Sequence, residues 1–344
     1  MTAYNKNLIV ILGPTAVGKS PAAVRVAEEL GGEIISADSR QIYLGMDIGT
    51  DKPGPEIRAS VPHHLIDIVK PDEVFSAGRY REMARQIILR LYRQGKTPVV
   101  VGGTGLYLKA LLYGLWPGPR ADWEIRNRMV EEEKLFGPGH LHRRLVEVDP
   151  EAAHRIHPCD QVKTVRALEV AILTGVPLTQ HHQGHRSALG GESDPSSLAD
   201  RAVVIGLRRE REDLYQRIDI RVDEMIHAGL VEEVERLFHS GYHESLPSMQ
   251  GLGYRQVVDY LKGLYSLQEA VRLIKRDTRR YAKRQMTWFR KEPRVCWVDL
   301  EPVDQATQVT EKVLDRIGEA VGTDFIEWAP RLQRRSACPV QASE

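Results

Sequence analysis

The chain has 344 residues, of which 42% are hydrophobic and 28% are charged. This composition is typical of globular proteins and excludes a wholly disordered, collagen-like or low-complexity chain. The length predicts one large core with an insertion, or two modest domains. Apolar runs such as Leu8–Leu12 are far shorter than the ~20 residues that span a bilayer, so no membrane association is expected. The N-terminus lacks the features of a signal peptide, which predicts a cytoplasmic protein.

The first third of the chain alternates predicted strands with predicted helices. A strand over Leu8–Leu12 is followed by a glycine-punctuated loop and a helix over Ala22–Leu30. Further strands are predicted at Glu33–Ala37 and Pro98–Val101, with an amphipathic helix over Arg79–Gln94 between them. This alternation predicts a parallel sheet flanked by helices, in which ligands bind at the carboxyl ends of the strands.

The middle of the chain has a different character. Residues 122–176 are predicted to be helical without a strand signal, and residues 181–198 form a polar loop rich in Gly and Ser. Because a strand returns at 201–207, the helical part interrupts the sheet. The predicted organisation is an α/β core (1–120 and 201–325), an all-helical insertion (121–200) and a flexible tail (326–344).

The last third is predicted to contain long helices over Asp213–Gly241 and Leu267–Arg290 and a strand over Val295–Asp299. The net charge of the chain is only +1, yet residues 272–294 contain ten Lys or Arg against two acids. With so few acids on this helix, we expect the repulsion between its cations to be unrelieved.

Aromatic residues are interleaved with these cations, at Tyr281, Trp288 and Phe289. Positive charges that neutralise phosphates, together with aromatic rings that stack on bases, are typical of nucleic-acid binding. A solvated basic face is the alternative.

Residues 13–20 read GPTAVGKS and match the phosphate-loop pattern G-x-x-x-x-G-K-[ST], between a strand and a helix as that motif requires. The backbone N–H groups of such a loop converge on a phosphate, Lys19 adds a positive charge, and the Ser20 hydroxyl can bind Mg²⁺. The predicted fold class is therefore a P-loop NTPase-like parallel sheet with an all-helical insertion. A kinase or NTPase also needs an acid for its magnesium ion, whereas Pro98–Val101 runs into Gly102-Gly103-Thr104.

Asp38 follows the second predicted strand, where its carboxylate would face a bound phosphate. An acid has a chemical use there if it holds a metal or accepts a proton from a substrate. A helix N-cap or a surface acid is the alternative interpretation.

Several segments resemble motifs of the tRNA dimethylallyltransferase family. In chain order they are residues 13–20, SADSRQIY (36–43), GMDIGTDKP (45–53), VGGTGLY (101–107), RALEV (166–170), QGLGYRQ (250–256) and AKRQMTWFR (282–290). The tail has no second cysteine near Cys338, whereas eukaryotic members commonly carry a zinc finger there. The chain therefore resembles the bacterial type. Cys159 and Lys163 stand where the family often has Asn and Arg.

The resemblance implies transfer of a dimethylallyl group from dimethylallyl diphosphate to the exocyclic amine of the adenine 3′ of the anticodon, in tRNAs reading codons that begin with U. It implies Asp38 as the proton acceptor, with Thr104 and Lys19 as catalytic groups on the diphosphate. The diphosphate ligands it implies are Gly13, Thr15, Ala16, Val17, Gly18, Lys19, Ser20 and Arg217. The implied cofactor is Mg²⁺ at Ser20, and a monomer is the default expectation.

The partner implied is the tRNA anticodon stem-loop, whose target base must be flipped into the site. The residues implied to contact tRNA are Asp38, Ser39, Arg40, Gln41, Thr104, Arg126, Val162, Lys163, Arg166, Gln250, Gly253, Tyr254, Arg255, Lys283, Arg284, Gln285, Trp288 and Arg290.

Three other functions stay open at this point. A small-molecule kinase could use the same phosphate loop, although Gly102-Gly103-Thr104 argues against it. An adenylate isopentenyltransferase would perform the same chemistry on a free nucleotide, but it would not need the helical insertion or the basic segment. A non-catalytic RNA-binding protein would leave the phosphate loop and Asp38 unexplained.

Overall fold

The structure is a computed structural model that describes residues 8–116, 118–181, 183 and 197–322. Within these ranges one sheet contains β1 (Leu8–Leu12), β2 (Gly32–Ser36), β3 (His63–His64), β4 (Thr97–Gly102), β5 (Ala202–Arg209) and β6 (Val295–Leu300). The strand order is β3-β2-β4-β1-β5-β6, and every neighbouring pair is parallel. The predicted parallel sheet is confirmed.

Helices connect these strands and make up the rest of the fold. They are α1 (Lys19–Glu29), α2 (Pro55–Ser60), α3 (Ala77–Arg93), α4 (Gly105–Tyr113), α5 (Trp123–Phe136), α6 (His140–Val148), α7 (Pro150–Arg155), α8 (Gln161–Thr174), α9 (Arg211–His227), α10 (Leu230–His239), α11 (Tyr254–Leu261), α12 (Leu267–Phe289) and α13 (Ala306–Val321). Capping side chains fix several helix starts: Ser76 accepts from the N–H of Arg79 at 3.1 Å, and Ser266 caps α12 in the same way. No helix in the described part of the chain is long and apolar enough to cross a membrane.

The central strand β1 is buried on both faces, which explains its uninterrupted apolar sequence. Ile9 and Ile11 pack in a cluster with Val26 of α1 and Ile317 of α13. Leu8, Val10 and Leu12 are equally inaccessible to solvent. The centre of the sheet therefore lies in the core, and a ligand can reach β1 only at the ends of the strand.

The chain divides into two compact units. One contains the sheet and runs to Leu112 and again from Leu198. The other spans Tyr113–Ser197, and its described residues form helices joined by loops. The helical unit has its own core, in which Met129, Leu145 and Leu168 pack together. The helical unit begins eight residues before the predicted insertion (121–200) and ends three residues before its predicted end. The predicted tail at 326–344 lies outside the described residues.

The prediction of one helix over Asp213–Gly241 is wrong, because α9 ends at His227 and α10 begins at Leu230. Gly229 between them has a φ of 98°, a left-handed conformation that ends a helix and favours glycine. The edge strand β3 was not predicted, since two residues are too few for a periodic pattern. Its His64 binds Glu33 of β2 through Nε2 and Oε2 at 2.7 Å.

The end of β4 packs tightly against the residue that follows β2. A Cβ atom on Gly102 would lie 2.2 Å from the carbonyl oxygen of Ala37. We expect Gly102→Ala to lower the free energy of unfolding by about 1–3 kcal/mol, since backbone must move to admit the methyl group. Urea denaturation measures this.

Gly78→Ala is the matched control, because Gly78 lies in α3 and its nearest heavy atom to an added Cβ is 3.7 Å away. This change should leave stability unaltered or raise it by up to about 1 kcal/mol. Equal stability of Gly102→Ala and the unchanged protein would contradict the close approach of the two strand ends.

Candidate active site

Three strand ends meet at one edge of the sheet, because β4 lies between β2 and β1. β1 leads into the phosphate loop, β2 into Asp38, and β4 into Gly103 and Thr104. The backbone joins two of these ends directly: the N–H of Ala37 donates to Val101 O at 2.7 Å, and the N–H of Thr104 donates to Ala37 O at 3.2 Å. The sheet therefore brings the sequence-predicted groups together.

The phosphate loop wraps back on itself before α1 begins. Gly18 adopts a φ of 107° at the helix start, and Nζ of Lys19 donates to Pro14 O at 2.7 Å. Desolvation, reinforced by the positive charge of Arg221, lowers the pKa of Lys19 to about 8. The ammonium group is therefore held in surroundings that disfavour its charge until an anion is bound.

Three guanidinium groups contact the phosphate loop. Nε of Arg209 donates to Val17 O at 3.1 Å, and Nε of Arg217 donates to Ala16 O at 3.2 Å. Nη1 of Arg221 lies 3.4 Å from Oγ1 of Thr15. The bonds from Arg209 and Arg217 hold two carbonyl groups of the loop.

Gln285 of α12 links the phosphate loop to the end of β4. Its Oε1 accepts from the N–H of Thr15 at 2.9 Å, and its Nε2 donates to Gly103 O at 2.9 Å. A Cβ on Gly103 would lie 2.3 Å from that Nε2, so the glycine is needed for this contact. Gln285 had been predicted to contact tRNA, but the structure buries its side chain in an internal bridge.

Asp38 lies in a turn outside any helix, so the N-cap interpretation is wrong. Its Oδ1 accepts from the N–H groups of Arg40 and Gln41, at 2.7 and 3.4 Å. Oγ1 of Thr104 accepts from the N–H of Ser39 at 3.0 Å. In the structure Thr104 therefore fixes the turn that carries Asp38.

Two adjoining cavities open at this edge, one of about 670 Å³ and the other of about 410 Å³. Lys19 and Ser20 line the smaller one, here called the phosphate-loop cavity. The residues that line both are Thr15, Ala16, Asp38, Thr50, Arg221 and Tyr281. Asp38 thus lies where a ligand in one cavity would meet a ligand in the other.

The remaining predicted contacts divide between these cavities and the interior. The larger cavity is lined by Ser39, Arg40, Gln250, Gly253, Tyr254, Arg255 and Arg284, and the phosphate-loop cavity by Gly18, Gln41, Arg217 and Gln285. Gly13 and Val17 are buried and line neither. They shape the loop from within, since a Cβ on Gly13 would lie 2.7 Å from Leu207 O.

Sequence reasoning assigned no role to the turn at residues 46–51. A buried carboxylate, Glu233 of α10, accepts from the N–H groups of Asp47, Ile48 and Gly49 at 2.9, 2.7 and 3.2 Å. The hydroxyl of Tyr254 donates to the same carboxylate at 2.6 Å. Tyr254 had been predicted to contact tRNA, but with 1% of its surface exposed it serves mainly to support this turn.

The expectation of unrelieved repulsion along α12 is wrong for its first half. Lys275 pairs with Asp223 at 2.7 Å, and Arg279 pairs with Asp219 at 2.9 Å. Both acids lie on α9, a segment that local charge counting on α12 cannot include. Asp277 neutralises further cations from within α12.

The second half of α12 and the two residues that follow it keep their positive charge exposed. Lys283, Arg284, Arg290 and Lys291 are exposed, and they form no ion pair with the described residues. The aromatic residues nearby do not act alike. Tyr281 lines both cavities, and Trp288 packs so closely on Gly105 that a Cβ there would lie 2.5 Å from its ring.

Phe289 is fully buried, so the prediction that it is part of a stacking surface is wrong. The helical periodicity explains the difference, because Phe289 shares the core-facing side of α12 with Ala282.

Comparison with known proteins agrees with this geometry. Residues 41–292 match the model of the IPP transferase family. The chain belongs to this family. It is 50% identical over 292 residues to the tRNA dimethylallyltransferase of Geobacter sulfurreducens, covering 85% of this chain and 91% of that protein.

Solved structures show the same relationship. The tRNA isopentenylpyrophosphate transferase of Bacillus halodurans is similar with a TM-score of 0.65 and 39% identity, over 96% of this chain and 99% of that one. A eukaryotic dimethylallyltransferase acting on tRNA is similar with a TM-score of 0.72 and 28% identity, over 94% and 80%. The predicted family, fold class and transferase class are confirmed, while the site residues stay predictions.

In the helical unit, two predicted tRNA contacts share one buried acid. Arg126 binds both oxygens of Glu169 at 2.8 Å, and Arg166 binds the same carboxylate and Pro119 O. Val162 is 82% exposed on α8. Lys163 lies beside it and pairs with Asp160, the residue that caps α8.

The phosphate-loop cavity offers oxygen atoms for a magnesium ion. Ser20, Asp38 and Asp51 all line it. No cluster of three or more His, Cys, Asp or Glu side chains suited to a metal occurs among the described residues. Since Mg²⁺ commonly keeps several waters and binds through one or two carboxylates and substrate phosphates, this donor set fits it.

The lowered pKa of Lys19 predicts a pH-dependent affinity for inorganic pyrophosphate. Above pH 8 the unbound ammonium loses its charge, whereas bound pyrophosphate favours the charged form. Affinity should therefore fall by up to about tenfold per pH unit relative to Lys19→Arg, whose guanidinium stays charged. Calorimetry between about pH 7 and 9.5 measures the ratio of the two proteins' Kd values for pyrophosphate. The ionisation of pyrophosphate affects both Kd values equally and does not change this ratio. A constant ratio would contradict the shifted pKa.

Proposed function

We propose that the protein transfers the dimethylallyl group of dimethylallyl diphosphate to the exocyclic amine of the adenine 3′ of the anticodon, giving isopentenyladenosine in tRNAs that read codons beginning with U. The observation that carries this proposal is the place of Asp38, at the junction of a phosphate-loop cavity and a larger cavity flanked by α12. The name of the relative that is 50% identical supports it.

The diphosphate would occupy the phosphate-loop cavity as the leaving group. As the bond from the allylic carbon to oxygen breaks, its electron pair stays on the diphosphate, and Lys19 and Arg217 stabilise the added charge. Magnesium held by Ser20 would supply further neutralisation of that diphosphate. No phosphoanhydride bond is cleaved, which agrees with the lack of a carboxylate in Gly102-Gly103-Thr104.

The adenine would occupy the larger cavity, whose volume of about 670 Å³ admits a flipped base. Its exocyclic amine is a weak nucleophile because the lone pair is delocalised into the ring. As the new carbon–nitrogen bond forms, the amine must lose a proton, and Asp38 accepts it. Only Oδ1 of Asp38 accepts hydrogen bonds from the described residues, so Oδ2 is available for this step.

The tRNA would be held mainly through its phosphates. The exposed cations Lys283, Arg284 and Arg290 would supply this charge, and Arg284 lines the larger cavity. Arg126, Val162, Lys163 and Arg166 of the helical unit stay proposed contacts. An enzyme that modifies tRNA would act in the cytoplasm, here as a monomer on one tRNA.

Incubation with labelled dimethylallyl diphosphate, Mg²⁺ and unmodified tRNA tests the proposal, with adenosine monophosphate and ATP in parallel. Label entering tRNA alone is the expected result. Label entering only the free nucleotide would indicate an adenylate isopentenyltransferase. Release of phosphate from ATP without transfer of label would indicate a kinase or NTPase.

Replacing the proposed proton acceptor should separate chemistry from binding. Asp38→Asn keeps an oxygen that can accept from Arg40 but cannot take a proton from the amine. We expect kcat to fall by about 10²–10⁴-fold, the usual contribution of general-base catalysis. The Kd for tRNA, measured by filter binding, should change by less than about twofold because no cation is lost. Near-normal turnover would remove Asp38 from this role.

Charge reversal on α12 should weaken tRNA binding in a salt-dependent way. In Lys283→Glu with Arg284→Glu, two phosphate contacts are lost, so the slope of log K against log salt should fall by about 1.5. The matched control reverses Arg25 and Arg316, exposed residues on α1 and α13 that line neither cavity. An unchanged slope in the α12 variant, or an equal change in the control, would contradict the assignment.

A further inference from the structure

An ion pair within the protein lies inside the phosphate-loop cavity. Oδ2 of Asp51 pairs with Nη2 of Arg221, and both side chains line the cavity together with Lys19. About half of the Asp51 side chain is exposed there, against a quarter of the Arg221 side chain. The Asp51 carboxylate thus neutralises Arg221 in the cavity where the proposed function requires a diphosphate to bind.

The backbone, rather than a flexible side chain, keeps Asp51 in this position. Asp51 has a φ of 53°, a left-handed conformation that is uncommon for residues other than glycine. Its carbonyl oxygen accepts from Nε2 of Gln41 at 3.0 Å. The turn that precedes it is fixed by the buried Glu233. Such a strained position needs support from its surroundings, and here the support holds an acid against Arg221.

Arg221 retains the capacity to bind another anion. Its Nε is buried and has no hydrogen-bond partner among the described residues. Its Nη1 makes only a long contact of 3.4 Å with Oγ1 of Thr15, inside the phosphate loop. A guanidinium offers five N–H donors in a fixed fork that matches phosphate oxygens. An unsatisfied buried donor of this kind favours a ligand that can complete its hydrogen bonds.

We propose that Asp51 is an internal competitor of the diphosphate: it neutralises Arg221 in the free protein, and the incoming diphosphate displaces it and takes Arg221 as a third cation beside Lys19 and Arg217. The inference rests on the proposed function, since it concerns the same diphosphate. It makes Arg221 a diphosphate-binding residue and Asp51 a residue that sets affinity and selectivity.

Displacement selects for highly charged ligands. A ligand must replace the attraction that Arg221 loses when Asp51 leaves, and it must tolerate the carboxylate that stays nearby. Inorganic pyrophosphate, with several charged oxygens, can contact Arg221 and the phosphate loop at once. Inorganic phosphate has fewer oxygens to do both. The ion pair therefore favours diphosphates over monophosphates.

A double-mutant cycle on the binding of inorganic pyrophosphate tests this competition by calorimetry. Asp51→Asn should lower the Kd by about 3–10-fold, because Arg221 becomes available without the cost of breaking an ion pair. Arg221→Gln should raise the Kd by about tenfold or more. Asp51→Asn added to Arg221→Gln should change the Kd by less than about twofold, because no competition remains.

Simple repulsion between Asp51 and the ligand gives a different result. It would leave the effect of Asp51→Asn equal or larger in the Arg221→Gln background, and that outcome overturns the proposal. So does an unchanged or raised Kd in Asp51→Asn alone. Arg221→Met removes the same charge and replaces the Gln variant if that protein does not fold, with the same expected loss of the Asp51 effect.

Asp47→Asn is the matched control. It removes the same charge from the same turn, but Asp47 is exposed, pairs with Lys52 and lines neither cavity. Its Kd for pyrophosphate should stay within about twofold of the unchanged protein. An effect equal to that of Asp51→Asn would show that net charge alone acts, which also overturns the proposal.

The binding experiment and the transfer assay test the two proposals separately. If the unchanged protein labels tRNA while the cycle shows no coupling, this inference is wrong and the proposed function stands. If the cycle shows the expected coupling while no label enters tRNA, the diphosphate site stands and the proposed transfer is wrong.

Discussion

The carboxamide of Gln285 holds the active-site edge together, because it binds the phosphate loop on one side and the end of β4 on the other. Both bonds require Gln285 to be oriented one way, with its oxygen toward Thr15 and its nitrogen toward Gly103. Since Gln285 lies on α12, the same two bonds hold that helix against the phosphate loop and the end of β4. Tyr281 and the exposed cations of α12 are thereby placed relative to the phosphate loop.

The site brings several positive charges together, and a bound anion can offset the desolvation and repulsion that result. Lys19, Arg217 and Arg221 line one cavity, and the lowered pKa of Lys19 shows that desolvation and a neighbouring cation disfavour its charge. A bound diphosphate would reverse both effects at once. Groups held in this way need little rearrangement when charge develops on the leaving group, which is the condition for electrostatic catalysis. Activity and stability therefore compete at this edge of the sheet.

Local patterns predicted the parts of the site that depend on neighbouring residues in the chain. The phosphate loop and Asp38 each follow a buried strand, and parallel strands necessarily bring such ends together. The contacts of Gln285 and Tyr254 could not be predicted, because their partners lie more than a hundred residues away or on another helix. Counting charges along α12 failed for the same reason: Asp219 and Asp223 are adjacent to it only after α9 has folded.

The turn at residues 46–51 is held in place by α10, a helix whose Glu233 lines neither cavity. The phosphate loop, Asp38 and Thr104 follow strand ends, whose positions the sheet determines. This turn has no strand to fix it, and three consecutive backbone N–H groups would be left without partners if Glu233 did not accept from them. Packing of Tyr254 against Gly49 leaves no space for a side chain there. The buried Glu233 carboxylate on α10 thus helps to determine where the Asp51 carboxylate lies relative to Arg221.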